Sequence, residues 1–182
     1  MENELKKVIG MTSLYLDFHS VVDGFRKVCL LGLREYPDNF NEAYGTNVPS
    51  FVDQAVFIGD YVQQNSANHQ LIPGWEHLYF LAHNSKVRDV GRLLSEYPRP
   101  VRSKEGQGKL GLILGFPACC VDAHVQRKSF VRKNGFYVLP FTPCSDACER
   151  PWMEEYKRLA RKYRVDLSKH VIRGNIHKTK LY

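Results

Sequence analysis

Four of the five cysteines fall in two tight pairs, within Gly115-Phe116-Pro117-Ala118-Cys119-Cys120 and Pro143-Cys144-Ser145-Asp146-Ala147-Cys148. Soft ligands at such short range are what a metal ion, an iron–sulfur cluster or a redox couple requires, so the chemistry of the chain concentrates here. Lys109 to Gly115 reads as a short helix closed by Gly115, and Pro117 as the first residue of the next helix. Cys119 and Cys120 then lie in a first turn, where unpaired backbone N–H groups and the helix dipole stabilise a thiolate. Adjacent side chains on a helix point about 100° apart, so one of the two is free to face the core. His124, four residues beyond Cys120, shares its face and can converge on the same ion; it also fits an ordinary surface position in the polar run 122–128. Cys144 and Cys148 share a face in a helical turn, or bracket an ion from a loop.

Spacing alone leaves three readings open. The pattern lacks the paired C-x-x-C knuckles of structural zinc modules. Cys119, Cys120, Cys144 and Cys148, with His124, can bind zinc or an iron–sulfur cluster; the same thiols can form disulfides or pack; or one of them can be a redox or nucleophilic thiol. A chain of 182 residues buries an adequate core without staples. Its start, Met1-Glu2-Asn3-Glu4-Leu5-Lys6-Lys7, is too polar for a signal peptide, and no apolar run reaches the ~18 residues of a spanning helix. The expectation is a cytoplasmic protein without a membrane partner, where thiols or metal are favoured over bridges.

Charge divides the chain. Residues 1–100 carry 9 Lys/Arg against 12 Asp/Glu, a net of −3, and residues 101–182 carry 17 against 7, a net of +10. The basic half, with Arg127, Lys128, Arg132, Lys133, Lys157, Arg158, Arg161, Lys162 and Arg164 as phosphate contacts, makes RNA or another phosphorylated ligand a candidate partner. The bland alternative is a solvated face, or one that meets the acidic half of a neighbouring copy in a homo-oligomer. Tyr156 and Tyr163 sit on the apolar stripe of their helix, which leaves no aromatics for base stacking.

The fold class expected is α+β, helix-dominated, with 1–182 as a single compact domain containing a small sheet of two or three strands. Leu14, Phe18, Val21, Phe25, Val28 and Gly32 recur at helical spacing and predict a long helix ending before Pro37, with Cys29 inert on its apolar stripe. Residues 38–49 read as a loop, and Ser50 and Asp53 as the capping box of a helix to about Gln64. A polar break at 65–70 precedes a strand at 77–83, after which Ser85 caps a helix ended by Pro98. Residues 98–108 read as an exposed connection with a glycine-rich hinge. Gly106-Gln107-Gly108-Lys109-Leu110-Gly111 spells G-x-G-x-x-G, but no hydrophobic strand delivers the chain into it, which excludes a dinucleotide-binding turn. A strand is expected at 136–141, and a closing helix from Pro151 with Trp152, Tyr156, Leu159, Ala160 and Tyr163 inward and Glu154 paired to Arg158.

Gly108 to Val121, followed by Pro143-Cys144-Ser145-Asp146-Ala147-Cys148, resembles an uncharacterised, largely archaeal family known as domain of unknown function 483, in which "LGYPxCC" and "PCSxxC" stretches recur. Leu78 to Asn84 resembles that family's strand before its second helix. Phe116 replaces the usual Tyr, and the second pair has one residue more than C-x-x-C. The resemblance names no activity. It implies that the four cysteines belong together, and an archaeal host, in which intracellular disulfides are also tolerated at high temperature.

Overall fold

A computed structural model describes residues 2–9, 12–33, 51–99, 101–126 and 139–167. Among these residues it is helix-dominated, with seven α-helices and one three-stranded antiparallel sheet, an α+β architecture. The chain divides into two compact units, residues 1–100 and 101–182, of which the first has a net charge of −3 and the second +10.

The first unit is built around α2 (Thr12–Val22), which is buried on nearly every side. Tyr15, Leu16, Phe18 and Val21 supply its apolar bulk, so the polar residues between them are buried too. Asp17 therefore needs a cation, and Arg26, itself 4 % exposed, provides the ion pair. Helix α1 (Glu2–Ile9) places Leu5, Val8 and Ile9 against this core. The sheet has the order β1-β3-β2, with β1 (Val28–Gly32) and β2 (His69–Pro73) both antiparallel to the central β3 (Leu78–His83). Cys29, opposite Leu81, is fully buried, and burial pushes its thiol pKa well up, as suits an inert core residue. Helix α3 (Phe51–Asn65) packs on β2 and α1 through its inward stripe, and α4 (Val87–Glu96) packs on β3 with Val90 and Leu93 inward.

Three expectations for this unit are corrected. The long helix predicted through Gly32 ends at Val22, because Gly24 adopts φ +82° and turns the chain; Phe25, on the supposed stripe, is 38 % exposed, and Val28 to Gly32 joins the sheet. The break assigned to 65–70 runs into β2, an edge strand that Pro73 closes. Ser85 lies in a 3₁₀ turn, Asn84–Lys86, and donates its N–H to His83 rather than capping α4. The loop at 38–49 and the Ser50 cap lie outside the described residues.

The second unit comprises α5 (Lys104–Ile113), α6 (Ala118–Val125) and α7 (Asp146–Lys162). Part of the expected hinge is helical. Ser103 accepts from the N–H of Gly106 at 3.1 Å, Glu105 pairs with Lys109 at 3.0 Å, and the G-x-G-x-x-G glycines form the body of α5. Their poor helix propensity conceals the helix in sequence; their use is close approach. A Cβ at Gly111 would stand 2.9 Å from Cγ2 of Val121, so α5 and α6 meet at that point with no room for a side chain. Helix α7 begins five residues before the expected Pro151 and buries Trp152, Tyr156, Leu159 and Ala160. Arg158 pairs with Glu155 at 2.6 Å, one residue later than the expected Glu154. Leu139 to Phe141 are not in a strand; the rest of that expected strand lies outside the described residues.

Gly111→Val is expected to destabilise the protein by roughly 2 kcal/mol through overpacking. Gly108→Ala, where a Cβ meets only Val125 at 3.8 Å, is expected to gain up to ~1 kcal/mol from helix propensity. Urea denaturation of the two variants tests the contrast, which a uniform effect of glycine replacement would erase. In the first unit, Arg26→Met removes the guanidinium paired with the buried Asp17 and is expected to cost about 3–5 kcal/mol by the same measurement.

Candidate metal centre

Helix α5 ends in a paired reversal. The N–H of Phe116 donates to the carbonyl of Gly111 at 3.1 Å, and that of Gly115 to Leu112 at 3.0 Å, with Gly115 at φ +78°. This hydrogen-bond pattern requires a left-handed residue, hence glycine. Pro117 then stands at the cap of α6, one position earlier than expected, and its carbonyl accepts from Cys120 at 2.9 Å and Val121 at 3.0 Å. Cys119 and Cys120 occupy the first turn, as the sequence indicates.

The second pair is delivered by another helix start. Ser145 caps α7, its hydroxyl accepting from the N–H of Cys148 at 3.3 Å, with Cys144 just before the cap and Cys148 in the first turn. A layer of aromatics holds the two starts side by side. Phe116 stacks on Phe141 with centroids 4.9 Å apart, and Trp152 of α7 meets Phe141 edge-on at 4.7 Å and Phe116 at 6.0 Å. Trp152 is 7 % exposed, so the layer is a local core beneath the thiols.

The result is a cluster of four sulfurs. The Sγ atoms of Cys119, Cys120, Cys144 and Cys148 all lie within 4.8 Å of one another. Cys119 and Cys148 are 3.4 Å apart, Cys120 and Cys144 3.5 Å, and Cys144 and Cys148 3.6 Å. All are free thiols, well beyond the ~2.05 Å of a disulfide bond. The backbone N–H of Cys144 donates to Cys120 Sγ at 3.3 Å, a bond that favours thiolate. Adjacent cysteines diverge on their own helix, yet the second pair meets both: Cys144 reaches Cys120, which is 2 % exposed, and Cys148 reaches Cys119, which is at the surface.

The thiols are electrostatically unequal. Cys148 is lowered to about 7, first by the Ser145 hydroxyl and then by the Cys119 thiol. Cys119 is raised, chiefly because its proton is shared with Cys148, and Cys120 is raised chiefly by burial. Of these three thiols Cys148 therefore ionises most readily, while Cys119 and Cys120 hold their protons more tightly. A cation must displace those protons, so its affinity falls as the pH falls.

His124 is exposed in the last turn of α6 and is not among the atoms of the cluster. Among the basic residues, Lys157, Arg158, Arg161, Lys162 and Arg164 are exposed. Arg158 is engaged with Glu155, and Lys162 lies 5.0 Å from the Tyr163 ring centre. A cavity of about 410 Å³ beside this face mixes Lys157 and Arg161 with Glu154 and Asp166. Arg127, Lys128, Arg132 and Lys133 lie outside the described residues. Tyr156 is fully buried, as the stripe predicts. Sequence reasoning did not identify the aromatic layer, although Phe116 and Phe141 each stand three residues before the first cysteine of a pair.

No family profile, curated protein or solved structure matches the chain. No helix among the described residues is long and apolar enough to cross a membrane.

Ser145→Ala is expected to raise the Cys148 pKa from about 7 toward ~8.5 and to remove a helix cap worth ~1 kcal/mol. Alkylation of the metal-free protein, followed by peptide mass spectrometry against pH, would show a several-fold slower reaction at Cys148 near pH 7. An unchanged profile would remove Ser145 as the cause.

Proposed function

We propose that residues 101–182 form a metal-stabilised unit in which Cys119, Cys120, Cys144 and Cys148 bind a single tetrahedral zinc ion. The observation that carries this reading is the sulfur separation. Around zinc, with Zn–S near ~2.3 Å, ligating sulfurs stand roughly 3.8 Å apart. The observed 3.4, 3.5 and 3.6 Å are slightly contracted from that value, as thiols in mutual contact would be before a cation enters. An iron–sulfur cluster interposes several irons and sulfides between its thiolates and needs a wider cage. A spread limited to 4.8 Å therefore supports one ion over a cluster.

Four protein sulfurs complete a tetrahedral shell and leave no position for water or substrate, which is the mark of a structural rather than a catalytic zinc site. The role assigned to the metal is to hold the starts of α6 and α7 together. The likeness of the two cysteine motifs to domain of unknown function 483 groups the same four residues and supports placing the chain with that family.

Metal analysis of protein purified without oxygen is expected to give about one zinc per chain, and cobalt substitution the intense visible bands of a tetrahedral thiolate site. Removing the metal with a chelator is expected to lower the thermal midpoint of the second unit, and Cys120→Ser to abolish stoichiometric binding. Less than about a tenth of an equivalent of metal, with no uptake of added zinc or cobalt, would overturn the reading.

A further inference from the structure

The four sulfurs differ in access. Cys119 is exposed, Cys148 is half-buried beside it, Cys120 is buried, and Cys144 is half-buried with its backbone N–H tied to Cys120. The pair with an open approach from solvent is thus also the closest pair, at 3.4 Å. Any small oxidant meets Cys119 first, and the group best placed to answer it is Cys148. Both Cys119 and Cys148 sit in first helical turns, whose N-cap hydrogen bonds do not use their sulfurs.

We infer that Cys119 and Cys148 form a peroxide-sensitive edge of the metal site, whose oxidation to a disulfide releases the ion; this deepens the zinc reading and rests on it. The step takes hydrogen peroxide as oxidant. The Cys119 thiolate attacks the peroxide oxygen, the O–O bond breaks, and a sulfenic acid forms with loss of hydroxide. The Cys148 thiolate then attacks the Cys119 sulfur, forming the S–S bond and expelling a second hydroxide. Two electrons pass from two thiolates to one peroxide, and both hydroxides take up protons to become water. Cys120 and Cys144 remain as the only thiolate ligands, and two such ligands cannot complete a tetrahedral shell. Closing 3.4 Å to the ~2.05 Å of a disulfide moves each sulfur by less than ~1 Å, within the reach of a side-chain rotation. The buried Cys120 and its partner Cys144 stay reduced and ready to accept the ion again once the bridge is reduced.

The test uses the full zinc-loaded chain, titrated with hydrogen peroxide in the presence of a chromophoric chelator, with disulfides mapped by mass spectrometry under non-reducing conditions. Zinc is expected to leave in step with the loss of two thiols, the first bridge is expected to join Cys119 to Cys148, and a thiol reductant with added zinc is expected to restore the starting state. Zinc retained after two thiols are consumed, or a first bridge joining Cys120 to Cys144 or Cys144 to Cys148, overturns the inference and leaves the zinc reading intact. A chain that neither carries nor takes up zinc overturns both. Cys119→His keeps a zinc-ligating side chain at the exposed corner but cannot form the bridge; it is expected to release zinc at least about tenfold more slowly than the unmodified chain. Release at the unmodified rate counts against the inference, and if the variant binds no zinc the bridge mapping decides alone.

Discussion

Four thiols within 4.8 Å of one another form an arrangement that a protein cannot ionise by itself. One thiolate can accept hydrogen bonds from neighbouring S–H groups, as the lowering of Cys148 by Cys119 reflects, but each further charge would repel the first across a few ångströms. A divalent cation would remove that obstacle, and the described residues of the second unit bring the four sulfurs together from two helix starts. Two helices start at the cluster, and both direct unpaired N–H groups and the positive end of a dipole toward it. The reversal at Gly115, the cap at Ser145 and the stack of Phe116 on Phe141 are all means of fixing where those helices begin.

The two units reach stability by different routes. Residues 1–100 have a conventional interior, with α2 enclosed by other elements and one face of β3 lined by Phe80 and Ala82, each inaccessible to solvent. Among the polar side chains they bury, Asp17 is paired with Arg26. Among the described residues of 101–182, the buried apolar side chains include Val121, Trp152, Met153, Tyr156, Leu159 and Ala160, with Phe116 and Phe141 packed on Trp152. A metal bound at the four sulfurs would add a cross-link between two helix starts to that packing.

Much of the site was legible because its signals are local. Gly115 as a helix stop, Pro117 as a helix start and the cysteines in a first turn all follow from chain chemistry within a few residues. What the sequence concealed depended on distance. The sequence grouped Cys119 and Cys120 with Cys144 and Cys148, but which sulfurs meet, Cys120 with Cys144 across 24 residues and Cys119 with Cys148, is set by the packing of two helix starts. The helical course of residues 104–108 was hidden because glycine's low propensity is overridden by its contact with α6, which only the packed structure reveals. The supposed helix through Gly32 failed for the opposite reason: apolar residues at 21, 25, 28 and 32 satisfy a helical period by coincidence, and pairing with β3 decided the matter.

The meeting of Cys120 with Cys144 has a topological consequence. A bond between those corners, through a metal, closes a ring of chain from residue 120 to residue 144, and closure restricts the unfolded ensemble much as a cross-link does, by about 3 kcal/mol for a ring of this size. That penalty grows only with the logarithm of ring length, roughly 0.6 kcal/mol for each doubling. A ring closed through those two corners would therefore owe its closure penalty mainly to the clasp and only weakly to the number of residues it encloses.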